Sequence, residues 1–152
     1  MSIKKNKLRN RFSREASQSF ININSSLEND KFLFNEDIEA SIAHATMLSS
    51  QKIISNKDAK NIISGLKKIK SEIKNKKFIF DDNLEDIHMN IEHRLAELIG
   101  QAAERLHTGR SRNDQVVTDL KLWMKKDNRL ISKKIKKLKL SLIQVANKNI
   151  SI

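Results

Sequence analysis

Apolar residues recur along this chain mostly three and four positions apart, the repeat of a helix with one buried face. A first helix is predicted by Ile38, Ile42, Ala45 and Leu48, with Asn35 as its cap and Glu36 and Asp37 in the first turn, where acidic groups favour the helix dipole. After Asn56, the residues Ala59, Ile62, Ile63, Leu66, Ile69 and Ile73 line one face and lysines the other, a pattern that tolerates Gly65. The run FIF at 78–80 stops it. A third helix is expected from DDNLED, where Asp82 and Glu85 have capping-box spacing, through Leu84, Ile87, Ile91, Leu95, Leu98 and Ala102 to about Leu106. The last stripe, from Val116 through Leu120, Trp123, Met124, Ile131, Ile135, Leu138 and Leu142 to Val145, meets no Gly or Pro and predicts one helix over about 115–149. Residues up to about Asp30 read as a polar arm.

The fold class is therefore all-α. A final helix of ~35 residues is ~50 Å long, whereas a chain of this size forms a globule with a radius of gyration of ~15 Å. One end must project, and its apolar stripe needs a partner: other helices of a longer chain, or the same helix from other subunits. The 152 residues suit one domain, and the absence of proline with only three glycines leaves few tight turns. No cysteine is present, which removes disulfides, thiolate zinc sites and cysteine nucleophiles and fits a reducing, cytosolic location. No run of ~18 apolar residues spans a membrane, and the basic start MSIKKNKLRNRF is followed by SREASQS where a signal peptide needs an apolar core. The formal net charge of +12 would attract polyanions, but lysine fills the solvated faces throughout, which accounts for the charge without a site.

Two segments concentrate chemistry. In HTGRSRND, 107–114, Gly109 gives backbone freedom, Asp114 can cap the long helix, and Arg110 and Arg112 can each grip a carboxylate through two parallel hydrogen bonds. A loop that opens a helix adds backbone donors and the positive dipole end, so an anion site for a carboxylate-bearing small molecule is expected. The competing reading is a loop that ties helices together through salt bridges. In EDIHMNIEHR, 85–94, Asp86, His88 and Glu92 cluster within two turns, with His88 and Glu92 spaced to hydrogen-bond. His88 and His93 are five apart and point differently, which argues against a metal site. A histidine oriented by a carboxylate can position substrate or relay a proton, though more often it is a satisfied interface residue.

EDIHMNIEHRLAELIG followed by RLHTGRSRNDQVVTDLKLWM, with DIEASIAHATML earlier, resembles the argininosuccinate lyase family of the fumarase and aspartase superfamily, over nearly the whole chain from about Phe20. The resemblance implies an N-terminal lyase domain over 1–114 and, over 115–152, the start of a central bundle of long helices. It also implies reversible β-elimination of argininosuccinate to arginine and fumarate, in arginine biosynthesis, by a cytoplasmic homotetramer with no cofactor and no metal. Ser26 in NSSLEND and Asn113 stand where the family has a substrate-binding serine and asparagine. Arg112 lies in the loop that holds the dicarboxylate end, with Thr108, Arg110 and Ser111 as neighbours, and Asp86 and His88 match the family's supporting EDIH segment.

The family's catalytic histidine lies in a PGYTHLQ segment and its catalytic serine in a GSSxMPQKKNP loop, and neither is found before Ile152. The expectation is an N-terminal portion of the enzyme, with no catalytic residue of its own and inactive alone, whose partner is a complementing C-terminal chain or further copies. Smaller departures are KLRNRF at 7–12 in place of a tryptophan and paired glycines, Ala40 at a usual glycine, and Glu104 at a small or basic position. Two other classes compete. KKIKKLK, 133–139, would suit a basic nucleic-acid-binding module, but no helix-turn-helix signature appears and aromatics are too sparse for base stacking. A non-catalytic assembly subunit would use the long helix alone.

Overall fold

The structure is a computed structural model that describes residues 17–151, and every regular element among them is helical. In order these are α1 (Gln18–Asn24), α2 (Leu27–Asp30), a 3₁₀ turn (Lys31–Leu33), α3 (Phe34–Ser50), α4 (Asn56–Lys74), α5 (Ile87–Ile99), a 3₁₀ run (Gly100–His107) and α6 (Arg112–Lys148). The all-α expectation holds. The substitution KLRNRF lies outside the described residues.

Three helices, α3, α4 and α5, enclose the core. Ile38, Ala45 and Leu48 of α3 meet Ile62, Leu66 and Ile69 of α4 and Ile87, Ile91 and Leu95 of α5, and Leu106 closes one end. Gly65 is required rather than tolerated. A Cβ there would lie 2.5 Å from Leu95 Cδ1, so the absent side chain is what lets α4 and α5 approach. At the rim of the same interface Arg94 Nε and Nη2 donate to the two carboxylate oxygens of Glu72 at 2.9 and 3.0 Å.

Several boundaries differ from the pattern-based ones, each for a local reason. The presumed polar arm contains α1, capped by Ser17, and α2, whose Leu27 enters the core. Helix α3 grows directly out of the preceding 3₁₀ turn, so Asn35 lies inside it and caps nothing. Helix α5 begins at Ile87 and not at Asp82, because Asp86 is the cap, its Oδ1 accepting from the Met89 N–H at 2.6 Å. It ends at Ile99 because Gly100 takes φ 65°, and the path to Leu106 continues as a 3₁₀ run. Helix α6 starts at Arg112 with Ser111 as cap, so Asp114 sits in its first turn.

The 37 residues of α6 give a rod of ~55 Å. Its first part packs on α3: Trp123 meets Phe32 edge to face at 5.6 Å, and Lys126 Nζ bonds Glu36 and Glu39 at 2.8 and 2.7 Å. From residue 128 onward every described residue is exposed, including Ile131, Ile135, Leu138, Leu142 and Val145. The projecting apolar stripe is thus real, though among the described residues no helix is long and apolar enough to cross a membrane.

Candidate substrate-binding site

The polar residues singled out in the sequence gather where α2, α5 and α6 begin. Ser26, the N-cap residue of α2, gives its backbone N–H to the Glu85 carbonyl at 2.8 Å and its hydroxyl to Asp30 Oδ2 at 2.6 Å. The other oxygen of Asp30 accepts from the Ile87 N–H at 3.1 Å, so Ser26 is pinned to the first turn of α5. Burial raises the pKa of Asp30 above the usual carboxylate range, against the pull of the Ser26 and Ile87 bonds. Asp86 caps that same turn, and its second oxygen lies 3.9 Å from Arg112 Nε.

Arg112 is half-buried and answers three groups at once. Its Nη2 donates to Glu92 Oε2 at 2.8 Å, its Nη1 to Gln115 Oε1 at 2.6 Å, and its Nε faces Asp86. Burial works against its charge, but Glu92 and Asp86 outweigh it, so the guanidinium is held still more firmly protonated. Next to it Ser111 Oγ accepts from the Asn113 N–H at 3.2 Å, which turns the chain into α6. Thr108, Ser111 and Asn113 all remain exposed. The Thr108 carbonyl accepts from His44 Nε2 at 3.0 Å, fixing the loop to α3.

Arg110 is less exposed than its neighbours Gly109 and Ser111. It turns inward, with Nη1 donating to the buried Ser41 hydroxyl at 3.2 Å, while its Nε and Nη2 are buried without a hydrogen-bond partner. The charges of Asp37 and Glu92 attract it even though burial lowers its pKa. One expectation is corrected here: His88 does not pair with Glu92, which Arg112 takes. His88 Nδ1 donates instead to Asp37 Oδ1 at 3.0 Å, a bond across 51 positions of sequence.

That bond belongs to a buried cluster that pattern reasoning missed: Asp37 from α3, His88 from α5, Gln115 and Asp119 from α6. Gln115 Nε2 donates to the same Asp37 oxygen in a short bond. Burial raises the Asp37 pKa, but His88, Gln115 and Arg110 together hold it below the ordinary value. His88 is held above its ordinary value, since the bond and charge of Asp37, aided by Asp86 and Asp119, exceed the effect of burial. Asp37, His88 and Asp119 are the grouping among the described residues with ligand atoms close enough for a cation, within 4.8 Å of one another. Two N–H donors already occupy the Asp37 oxygen and the Arg110 guanidinium faces the group, while both carboxylate oxygens of Asp119 are buried without a hydrogen-bond partner. The buried polar positions on α3 and α6 were the available signal: Asp37 and Asp119 fall in register with the apolar stripes of their helices.

Geometrically the site is an open shelf. Beside the starts of α5 and α6 Arg112 is a fixed cation, and Thr108, Ser111 and Asn113 add exposed short polar groups, with Ser26 half-buried near them. Such a surface suits a small dicarboxylate held from one side.

A family model described as Lyase matches residues 10–152. The chain is 50% identical over 127 residues to an argininosuccinate lyase from Staphylococcus aureus, covering 84% of this chain and 28% of that protein. It is 52% identical over 129 residues to one from Campylobacter jejuni subsp. doylei, with shares of 84% and 28%, and 46% identical over 140 residues to one from Pelagibacter ubique, with shares of 92% and 30%. The chain therefore spans about 30% of the length of the curated relatives it matches.

Proposed function

We propose, from the premise that this chain belongs to the lyase family, that it supplies the substrate-binding shelf of an argininosuccinate lyase, which splits argininosuccinate reversibly into arginine and fumarate. The observation that carries the reading is the meeting of Ser26, Asp86 and Arg112 at the start of α5 with Ser111 and Asn113 at the start of α6. In this reading the exposed Thr108, Ser111 and Asn113, with the half-buried Ser26 beside them, contact the dicarboxylate end that leaves as fumarate. Arg112 stands behind them as the fixed positive charge, and Arg110 steadies the loop from inside. Asp86 and His88 are supporting residues, one capping α5 and the other fixing the α3–α5 junction.

β-Elimination also needs a base to remove a proton from carbon and an acid to protonate the departing guanidinium nitrogen. Neither comes from the shelf. The histidine and serine segments of the family are absent from these 152 residues, so the chain is inactive alone and gains activity when they are supplied. The reaction moves protons and cleaves a C–N bond, and it is assigned no redox cofactor and no metal. The exposed stripe of α6 supports assembly through a helix bundle, as a homotetramer or with a complementing C-terminal chain, in the cytoplasm of the cell. The lysines of KKIKKLK alternate with Ile135 and Leu138 of that stripe, as on a helix packed along one side, and a nucleic-acid role is not needed to explain them.

To test the site assignment, the chain is combined with a polypeptide carrying the missing segments and fumarate formation is followed by absorbance. Arg112→Lys, which keeps the charge but loses the planar fork, raises KM by about tenfold, and Asn113→Ala lowers kcat/KM by about 10–100-fold. Unchanged constants in both variants would refute the assignment.

A further inference from the structure

Asp119 is 0% exposed, and neither of its carboxylate oxygens has a hydrogen-bond partner. Its neighbours are already engaged. His88 Nδ1, 3.5 Å from Asp119 Oδ2, donates to Asp37 Oδ1, and Gln115, one helical turn before Asp119, donates to that same oxygen. An ionised Asp119 would be a second buried carboxylate placed against the first, with its solvation removed and no donor given in return. A protonated Asp119 has none of these difficulties, because its O–H has an acceptor in the Asp37 carboxylate beside it.

We propose that Asp119 is a positioning residue for the substrate shelf: as a neutral carboxylic acid it donates a hydrogen bond to Asp37 and so seats the first two turns of α6, which carry Arg112 and Asn113, against α3 and α5, with Arg110 just before them. The proposal deepens the lyase reading and rests on it for the word substrate, while the hydrogen bond itself does not. Groups from every packed element bear on the proton. Asp37 reaches Asp119 from α3, His88 from α5 and Arg110 from the loop, while Gln115 shares its helix. Burial first and the Asp37 charge second push the Asp119 pKa up to about 8, against the pull of His88 and Arg110. As pH rises toward that value the start of α6 loosens, and through it the seat acquires a second anion.

The test uses the full 152-residue chain at about pH 6 to about pH 9.5, reading the side-chain carboxyl ¹³C signal of Asp119 and amide hydrogen exchange over residues 113–119, corrected for intrinsic base catalysis. The Asp119 signal is expected to titrate near 8, and the opening equilibrium of the first α6 turns to rise by about tenfold per pH unit from about pH 6 up to that value and to level off above it, the slope for one proton released on opening. Asp119→Asn, which keeps a neutral donor of the same shape, retains the neutral-pH protection and loses that share of the slope. Asp119→Ala exchanges faster at every pH. A carboxyl signal titrating in the ordinary range near ~4 would overturn the proposal. So would Asp119→Asn exchanging as fast as Asp119→Ala at neutral pH. Neither readout uses substrate, so both stand apart from failure of the lyase reading, which is judged by fumarate formation.

Discussion

Removing the imidazole of His88 would leave the Asp37 carboxylate buried with Gln115 and the field of Arg110 as its remaining support. His88→Ala is therefore expected to cost about 3 kcal/mol, the scale for breaking a buried pair from one side, measured by urea unfolding with Trp123 fluorescence as the signal. The cluster also sets the pH dependence. The raised pKa of His88 gives stability that is full below ~6.5 and is lost as pH climbs through its folded value, while the depressed pKa of Asp37 gives stability lost as pH falls below ~3.9. Asp119, pushed up to about 8, favours the folded state less and less as pH rises from the ordinary carboxylate range to that value. All three place the optimum on the acidic side of neutrality. The urea midpoint at about pH 6 should exceed that at about pH 8.5 by at least ~1 kcal/mol of stability, and a midpoint that rises with pH would contradict the assignment of charges. His88 was visible in the sequence as a histidine among carboxylates. Its real partner was not, because the nearest carboxylate by helix spacing is Glu92, and only folding brings Asp37 closer.

At the scale of elements, amphipathic stripes located α3, α4 and α6 to within a few residues, since each buries one face over several turns. Cap positions were less legible. Asp82 and Glu85 had the right spacing, yet Asp86 caps α5 because Asp30, arriving from α2, already accepts from Ile87 and fixes where the helix can begin. The same tertiary ties explain why Ser26 could be placed in the site by resemblance but not by pattern. The free half of α6 gives a prediction of its own. Leu138→Glu with Leu142→Glu falls where no described residue buries the stripe, so the unfolding free energy of the α3–α5 core should change by less than about 0.5 kcal/mol, while sedimentation shows any assembly shifting to smaller species. A loss of core stability with unchanged assembly would mean the stripe folds back onto its own domain.

For the molecule as a whole, the shelf and the projecting helix describe a part that expects company. In the proposed reading Thr108, Ser111 and Asn113, with Ser26 beside them, face one side of a ligand, and the family's histidine and serine segments are not among these 152 residues. The formal net charge of +12 is spread over solvated lysine faces. Fumarate absorbance with argininosuccinate tests this directly. The purified chain alone should give no fumarate above the uncatalysed rate, and a polypeptide carrying the family's histidine and serine segments should restore it. Turnover by the chain alone, or silence from a folded mixture of the two, would contradict the account.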